Sequence, residues 1–403
     1  MEHEIKDLPL PEPLAQAQSE RLIQTIRQRI QEQGGRISFA DYMALALYAP
    51  GLGYYSAGNQ KFGAGGDFVT APEISPWFSR CLARQCQQIL AQLNQQGEPT
   101  PVILEVGGGS GIMAADVLVE LERLDSMPGE YWILELSADL RQRQSQTLAS
   151  KVPHLQDKVR WLDALPASAF SGVVLANELL DAMPVHRFHS SGEGGPVGEI
   201  GVTWEHEHFA WQLMPPSSEL LKQRIETIVQ TLVNNGNSAA YTSEINLAAE
   251  SWVKTLGELL HAGMVLIVDY GFPRHEYYHP QRSGGTLMCH YRHRSHDDPF
   301  VYPGLQDITA HVDFTAVAEA GVEAGLHVAG YNTQGFFLLA TGIDDALAGV
   351  DPDNARDYLR LSQQVKTLTL PSEMGELFKV MALTKNIDVP PLGFTLQDLR
   401  SRL

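Results

Sequence analysis

Residues 104–118 read LEVGGGSGIMAADVL, with Gly107, Gly109 and Gly111 at alternate positions after Glu105. An apolar run enters this stretch and a helical pattern leaves it. Glycine in such a turn adopts left-handed backbone angles at little cost and leaves no Cβ in the path of a ligand. A dinucleotide pyrophosphate asks for G-x-G-x-x-G, whose third glycine permits close helix–strand packing. Gly107 and Gly109 fit that spacing, but Ile112 stands at the third position and Gly111 comes one residue early.

The spacing present, E-x-G-x-G-x-G, suits S-adenosylmethionine, whose methionine part and ribose approach the turn and which has no pyrophosphate to cradle. Acidic residues at the following strand ends extend that reading. Glu135 closes YWILEL and is placed to accept hydrogen bonds from two ribose hydroxyls. Asp163, in RWLDAL, is placed to accept one from the adenine amino group. Glu105 is expected to be buried and to hold the loop or the cofactor.

A second constellation starts at the fourth strand, in ANELLDAMPVHRF. In a parallel sheet the reacting centre lies beyond the carboxyl ends of the strands. Asn177, Glu178 and Asp181 would then border the transferred methyl group. Asn-Glu-Leu-Leu replaces the [DN]-P-P-[YF] turn of amide and nucleobase N-methyltransferases, which disfavours that class. Carboxylates suit a cationic nucleophile, because they localise guanidinium charge away from the methyl donor and order the attack. The bland alternative is that Glu178 caps a helix and Asp181 is solvated. His311 and Asp313, in DITAHVDF, offer a proton acceptor or a loop tie with a helix cap. Cys289, His290, His293 and His296 cluster, but their spacing matches no structural zinc pattern, so no metal is expected.

These residues need a scaffold. PVILEV, YWILEL, VRWLDAL, GVVLANELL and GMVLIVDYG read as five strands, the first two of them continuous apolar runs of the kind covered on both faces. Helical patterns separate them, which means a parallel sheet with helices on both sides. Residues 186–214 alternate with period two and read as an antiparallel hairpin insert. Residues 272–306 are long, polar and irregular. LHVAGYNTQGFFLLAT reads as a terminal hairpin, and the last sixty residues as helical. The expected organisation is an N-terminal helical and lid region over 1–95, a core over 96–343 with insertions at 186–235 and 272–306, and a C-terminal helical extension over 344–403.

Composition sets limits on partners. The formal net charge of the 403-residue chain is −19, a field that repels phosphate backbones, so nucleic acid is a poor partner. Three cysteines, Cys81, Cys86 and Cys289, supply no disulfide framework. The N-terminus, MEHEIKDLPLPEPL, has no basic start and apolar core, and no run approaches a membrane-spanning length. A cytoplasmic protein without membrane insertion is the expectation.

FADYMALALYAPGLGYYS, GDFVTAPEISPWF, LEVGGGSGIMAADVL, ANELLDAMPVHRF, GTLMCHYRHR, DITAHVDFTAVAEAG, QGFFLLATG and MGELFKVMAL occur in that order. Together they resemble the MidA family of class I S-adenosylmethionine-dependent methyltransferases, from about residue 20 to the C-terminus. The resemblance implies an α/β, Rossmann-like fold with a seven-stranded mixed sheet, and S-adenosyl-L-methionine as cofactor. Mitochondrial members of the family are complex I assembly factors described as protein arginine methyltransferases. A protein acceptor, with a respiratory-complex subunit as one candidate, is therefore implied. The glycine turn, Glu135 and the Asn177–Asp181 motif match the family, although Gly108 stands where the family usually has proline. The 67–73 segment, with Asp67, Thr70, Pro72 and Glu73, matches a part expected to fold over the cofactor, led by Gly63 to Gly66 as a lid hinge. Glu178, Asp181 and His311 are the expected catalytic groups. An assembly factor with little turnover and a small-molecule N- or O-methyltransferase remain as alternatives, beside a NAD-dependent oxidoreductase that Ile112 argues against.

Overall fold

A computed structural model describes residues 8–57, 69–98, 100–192, 194–348 and 355–403. Asp67 and Gly63 to Gly66, expected to form the lid hinge, lie outside the described residues. The central sheet contains β1 (Val102–Val106), β2 (Tyr131–Leu134), β3 (Val159–Leu162), β4 (Phe170–Asn177), β5 (Leu260–Phe272), β6 (His327–Thr333) and β7 (Phe378–Lys385). Their order is β3-β2-β1-β4-β5-β7-β6, with β7 antiparallel to both its neighbours. This is the expected seven-stranded mixed path. Val312–Asp313 adds a two-residue strand beside the end of β5.

Burial explains the period. Every residue of β1 is buried, and β5 is buried along most of its length. A continuous apolar run is what a strand covered on both faces requires. Helices α3 (Pro76–Gln95) and α4 (Ile112–Arg123) cover one face, packing Phe78, Leu82, Val117 and Leu121 with Ile103 and Val173. Helices α7 (Leu247–Leu259) and α8 (Phe314–Glu323) cover the other, packing Val253, Leu256 and Val317 with Leu104 and Val265. Helix α5 (Ala138–Lys151) follows β2. Helix α6 (Glu219–Asn234) precedes α7 and has a core of its own with Phe188 and Tyr241. Chain order reverses between β1 and β4, so the crevice beyond their carboxyl ends is the place for a ligand.

The insert differs from expectation. His186–Ser190, Val197–Glu205 and His208–Met214 do pair antiparallel, but Tyr241–Ile245 and the N-terminal Arg36–Ser38 join them in a five-stranded sheet. Helices α1 (Pro13–Glu32) and α2 (Phe39–Tyr48) pack on that sheet, with Phe39, Tyr42 and Met43 against Val202 and Phe209. The expected single 1–95 unit is therefore divided: α1 and α2 belong with the insert, α3 with the central sheet. Residues 272–306 hold a short helix and two strands of a three-stranded sheet rather than irregular loop.

The C-terminal expectation also needs correction. After β6, Gln334–Ala340 is a helix and not the second strand of a hairpin. Its partner strand, β7, lies inside the region expected to be wholly helical, so the core extends well past residue 343. Short apolar runs such as QGFFLLAT and FKVMAL cannot be assigned by periodicity alone. Here long-range pairing decided: β7 fills the gap between β5 and β6.

Candidate functional site

The glycine turn opens the site. Gly107, Gly109 and Gly111 have φ of +73°, +50° and +81°, the left-handed region that glycine enters freely. Their surroundings differ. A Cβ at Gly107 would stand 3.3 Å from Leu179 Cδ1, and one at Gly111 would stand 2.8 Å from Gln144 Cα on α5. A Cβ at Gly109 would meet no atom within 4 Å and would project into open space. Gly109 therefore has room for a ligand, whereas Gly111 permits α5 to approach and does not line the cleft. Gly108 lines it too, and a Cβ there would come 2.9 Å from Ile133 Cγ2.

The turn forms one wall of a cleft of about 240 Å³. Glu105, Gly107, Gly109, Glu135, Asn177, Glu178, Thr70 and Glu73 all line it, so most of the sequence-predicted site converges. Glu105 is fully buried at the end of β1 and accepts from Tyr131 Oη at 2.7 Å. Burial pushes its carboxyl up to about 7. Glu135 sits just past β2. Its Oε1 accepts from the Ser137 N–H at 2.9 Å, and its Oε2 from Gln144 Nε2 at 3.1 Å. The same Gln144 nitrogen donates to the Gly109 carbonyl at 3.1 Å, and Trp161 Nε1 donates to Gln144 Oε1 at 2.8 Å. One glutamine thus ties the acid at β2 to the glycine turn. Glu73 accepts from the Ser110 hydroxyl, and Thr70 is the N-cap position of the short helix Ala71–Ile74.

The far end of the cleft is acidic and aromatic. Glu178 follows β4 with φ +49° and is partly buried. Its Oε1 accepts from the Ala71 N–H at 3.4 Å and from Asn177 Nδ2 at 3.2 Å. Burial first, and the neighbouring Asp181 second, push its carboxyl up to about 8. Asp181 is buried behind it and accepts on Oδ2 from the Tyr270 hydroxyl, while Oδ1 has no partner. Burial raises this carboxyl as well. Neither acid pairs with Lys, Arg or His among the described residues. Tyr48 and Tyr55 stack at 5.5 Å and form an aromatic wall. Tyr48 Oη donates to the Ala182 carbonyl at 2.9 Å and Tyr55 Oη to Asp307 Oδ1 at 3.0 Å.

Of the expected site residues, Gly111 and Asp181 stand behind the lining of the cleft, and two more lie elsewhere. The Asp163 side chain is 92% exposed and paired with Arg141 at 2.8 Å. It lies outside the cleft because β3 ends at Leu162 and the chain turns outward. His311 lines a separate cavity of about 560 Å³ bounded by α6, α7 and residues 274–280. Its ring stacks on Phe272 and meets the Tyr270 ring edge-on at 5.1 Å. Burial, then Arg282, pushes its pKa down to about 4. Asp313 caps α8, accepting from the Thr315 and Ala316 N–H groups. Cys289 and His296 face each other across a hairpin, and no group of three potential metal ligands occurs among the described residues.

Sequence reasoning missed Tyr48, Tyr55, Gln144, Asp269 and Tyr270. Asp269 and Tyr270 carried a usable signal, an acid at the end of the fifth strand, the same cue that pointed to Glu135. Gln144 carried none, since nothing local marks a helix glutamine that reaches two strand ends.

Comparison with known proteins bears on this geometry. Residues 81–332 match the family model described as "Putative S-adenosyl-L-methionine-dependent methyltransferase". A Drosophila melanogaster protein named "Protein arginine methyltransferase NDUFAF7 homolog, mitochondrial" is 30% identical, over 90% of this chain and 86% of the relative. A Danio rerio protein named "Protein arginine methyltransferase NDUFAF7, mitochondrial" is 28% identical, over 90% and 89%. The crystal structure of a Burkholderia thailandensis protein bound to S-adenosyl-homocysteine matches with a TM-score of 0.90 at 46% identity, over 98% of this chain and 100% of that one. The mitochondrial relatives overturn the expectation of a cytoplasmic protein. Few cysteines and an acidic N-terminus do not discriminate among reducing compartments. No helix among the described residues is long and apolar enough to cross a membrane.

Proposed function

The chain belongs to this S-adenosyl-L-methionine-dependent methyltransferase family, and from that premise we propose that it methylates an arginine nitrogen on a protein. The observation that carries the reading is the acidic pair with no basic partner, Glu178 lining the end of the cleft and Asp181 buried behind it. Buried acids without a partner are costly. A cationic acceptor would relieve that cost, and a planar guanidinium offers donors to two carboxylates at once.

The cleft's own chemistry fits the cofactor. Gly109 leaves room where a side chain would intrude, and Glu135 stands at the strand end where ribose hydroxyls are held in such folds. Glu105 and Gly107 would border the methionine part, with Thr70 and Glu73 closing over it. When bound, S-adenosylmethionine supplies an electrophilic methyl on a sulfonium whose departure needs no acid. The protein's task is alignment and charge. Glu178 would hold the guanidinium and polarise it, so that density rises on the nitrogen facing the donor. Methylation of a guanidinium releases one proton, which the acidic pair would take up, Glu178 at the cleft and Asp181 behind it with Oδ1 unpaired. His311 is set behind the Tyr270 ring and held neutral, so we assign it no proton-transfer role. The insert sheet with α1 and α2 would shape the partner side. The relatives' names support a protein acceptor, and the family resemblance suggests a respiratory-complex subunit among the candidates.

The test is direct. Purified protein is incubated with methyl-labelled S-adenosylmethionine and a cell extract, and hydrolysed protein is searched for labelled methylarginine. The reading requires label in arginine that disappears with Glu178→Gln. Label confined to small molecules, or cofactor binding without any transfer, rejects it.

A further inference from the structure

The turn that presents Glu178 is held from behind by one carboxylate that does not reach the cleft. Asp269, near the end of β5, is completely buried. Its Oδ2 accepts from the backbone N–H groups of Leu179 at 3.2 Å, Leu180 at 2.8 Å and Asp181 at 3.3 Å. Its Oδ1 accepts from the Tyr270 N–H at 3.0 Å. The N–H of Glu178 donates to the Val268 carbonyl at 2.9 Å, one residue before Asp269. Successive N–H groups converging on a single oxygen form a nest for an anion. Here the acceptor is a carboxyl of the neighbouring strand, whose pKa burial and then Asp181 push up.

That arrangement has a consequence for Glu178. Its φ of +49° is one a residue with a Cβ keeps only when its surroundings impose it. The surroundings are the three N–H groups that follow it, all anchored on Asp269, and its own N–H anchored on β5. Released from the anchor, residue 178 would relax toward ordinary angles and its side chain would leave the cleft. Asparagine at 269 keeps the size but has one side-chain oxygen where the carboxyl has two, so the N–H groups of Leu179, Leu180, Asp181 and Tyr270 cannot all keep their acceptors.

We propose that Asp269 is the positioning residue of the acceptor end, fixing the 178–181 turn so that the Glu178 carboxylate faces the cleft. The proposal rests on the reading of Glu178 as the acceptor's partner.

The experiment compares Asp269→Asn, Glu178→Gln and the double variant in the full chain. Three readouts are taken: S-adenosyl-homocysteine binding by calorimetry, methyl transfer, and titration of the Glu178 carboxyl by carbon NMR. In Asp269→Asn the Glu178 midpoint is expected to fall by at least about one unit as the carboxyl turns toward water. Methyl transfer should fall at least about tenfold with homocysteine-product affinity kept within about threefold. In the Glu178→Gln background the second substitution should cost less than about threefold more, because its route is already gone. An unmoved Glu178 titration, or losses that multiply in the double variant, overturns the proposal. If the parent methylates no arginine, the acceptor assignment falls, and the titration still decides whether Asp269 aims Glu178. If Asp269→Asn does not fold, amide exchange in the parent decides. The Leu179, Leu180 and Asp181 N–H groups must then exchange as slowly as the β5 core, and loop-like exchange overturns the proposal.

Discussion

The two ends of the cleft handle their carboxylates in opposite ways. At the glycine-turn end every acid is tied: Glu105 to Tyr131, Glu135 to the Ser137 N–H and Gln144, Glu73 to Ser110. At the far end Glu178 has two long contacts, and the Oδ1 atoms of Asp181 and Asn177 have none. An end whose polar groups are satisfied by the protein has the rigidity to recognise a ligand common to every turnover. An end with unused acceptor atoms awaits a donor from outside. The difference separates a preorganised cofactor half from an acceptor half whose charge is matched only by its substrate.

The contrast is broken most severely at Glu178. Glu178→Gln is predicted to lower methyl transfer about 10²–10³-fold, the range for removing one preorganised charged group at a reacting centre, with S-adenosyl-homocysteine affinity changed less than about threefold. Initial rates and calorimetry on the same preparation check the split. A parallel fall in binding would mean that Glu178 belongs to the cofactor half.

The same carboxyl predicts pH behaviour. Its folded value, about 8, lies above the ordinary glutamate value of 4.5, so between those values the native state holds a proton that the unfolded chain has lost. Stability from this group is then full below the ordinary value and lost as pH rises toward 8. Glu178→Gln should therefore raise Tm by a few degrees at pH 8.5 and by less at pH 5, as expected where an acid is kept for function. Scanning calorimetry at both values checks it. Activity should rise with pH through about 8 before acceptor binding, read from kcat/KM.

Gly109→Val should act on the other half alone. The φ of +50° strains any β-branched side chain, and its Cβ would enter the cleft. A loss of about 10²-fold in S-adenosyl-homocysteine affinity is expected, with Tm lowered by a few degrees through the backbone strain. Gly111→Ala should instead disturb the packing of α5, since its neighbour is Gln144 backbone, and calorimetric stability should fall before affinity does.

These halves were unequally legible in the sequence. Glycines at alternate positions after a buried strand point to their ligand through local geometry, so Gly107, Gly109 and Glu135 could be named from a short stretch. Asp269 and Gln144 act over 88 to 90 and 35 residues of chain respectively, and no local period encodes such a contact. The fold shows the same limit. The strands of the parallel half announced themselves as apolar runs between helices. β7 did not, because its strand identity comes from pairing with β5 and β6. Arg36–Ser38 is three residues long and exists only because Val197–Glu205 offers it an edge.

Tyr270→Phe is the gentler probe of the acceptor half. It removes the hydroxyl bonded to Asp181 Oδ2 and leaves the ring packed on His311 and Phe378. Asp181 would lose its hydroxyl donor, so methyl transfer should drop about 3–10-fold. Rates compared across pH should show the loss as a shifted profile rather than a uniform fall.

Asp163→Asn should change least, and for that reason it tests the boundary of the cofactor half. The sequence placed an adenine contact here, where the third strand ends. The side chain instead faces water and pairs with Arg141, which also donates to the carbonyls of Glu135 and Leu162. Exposed ion pairs contribute little, and Arg141 keeps both carbonyls without this acid. S-adenosyl-homocysteine affinity is therefore expected to stay within about twofold. A tenfold loss would mean that Asp163 leaves Arg141 when the cofactor arrives. The cofactor half would then be completed by its ligand, as the acceptor half is, and the contrast between the two ends would be one of degree.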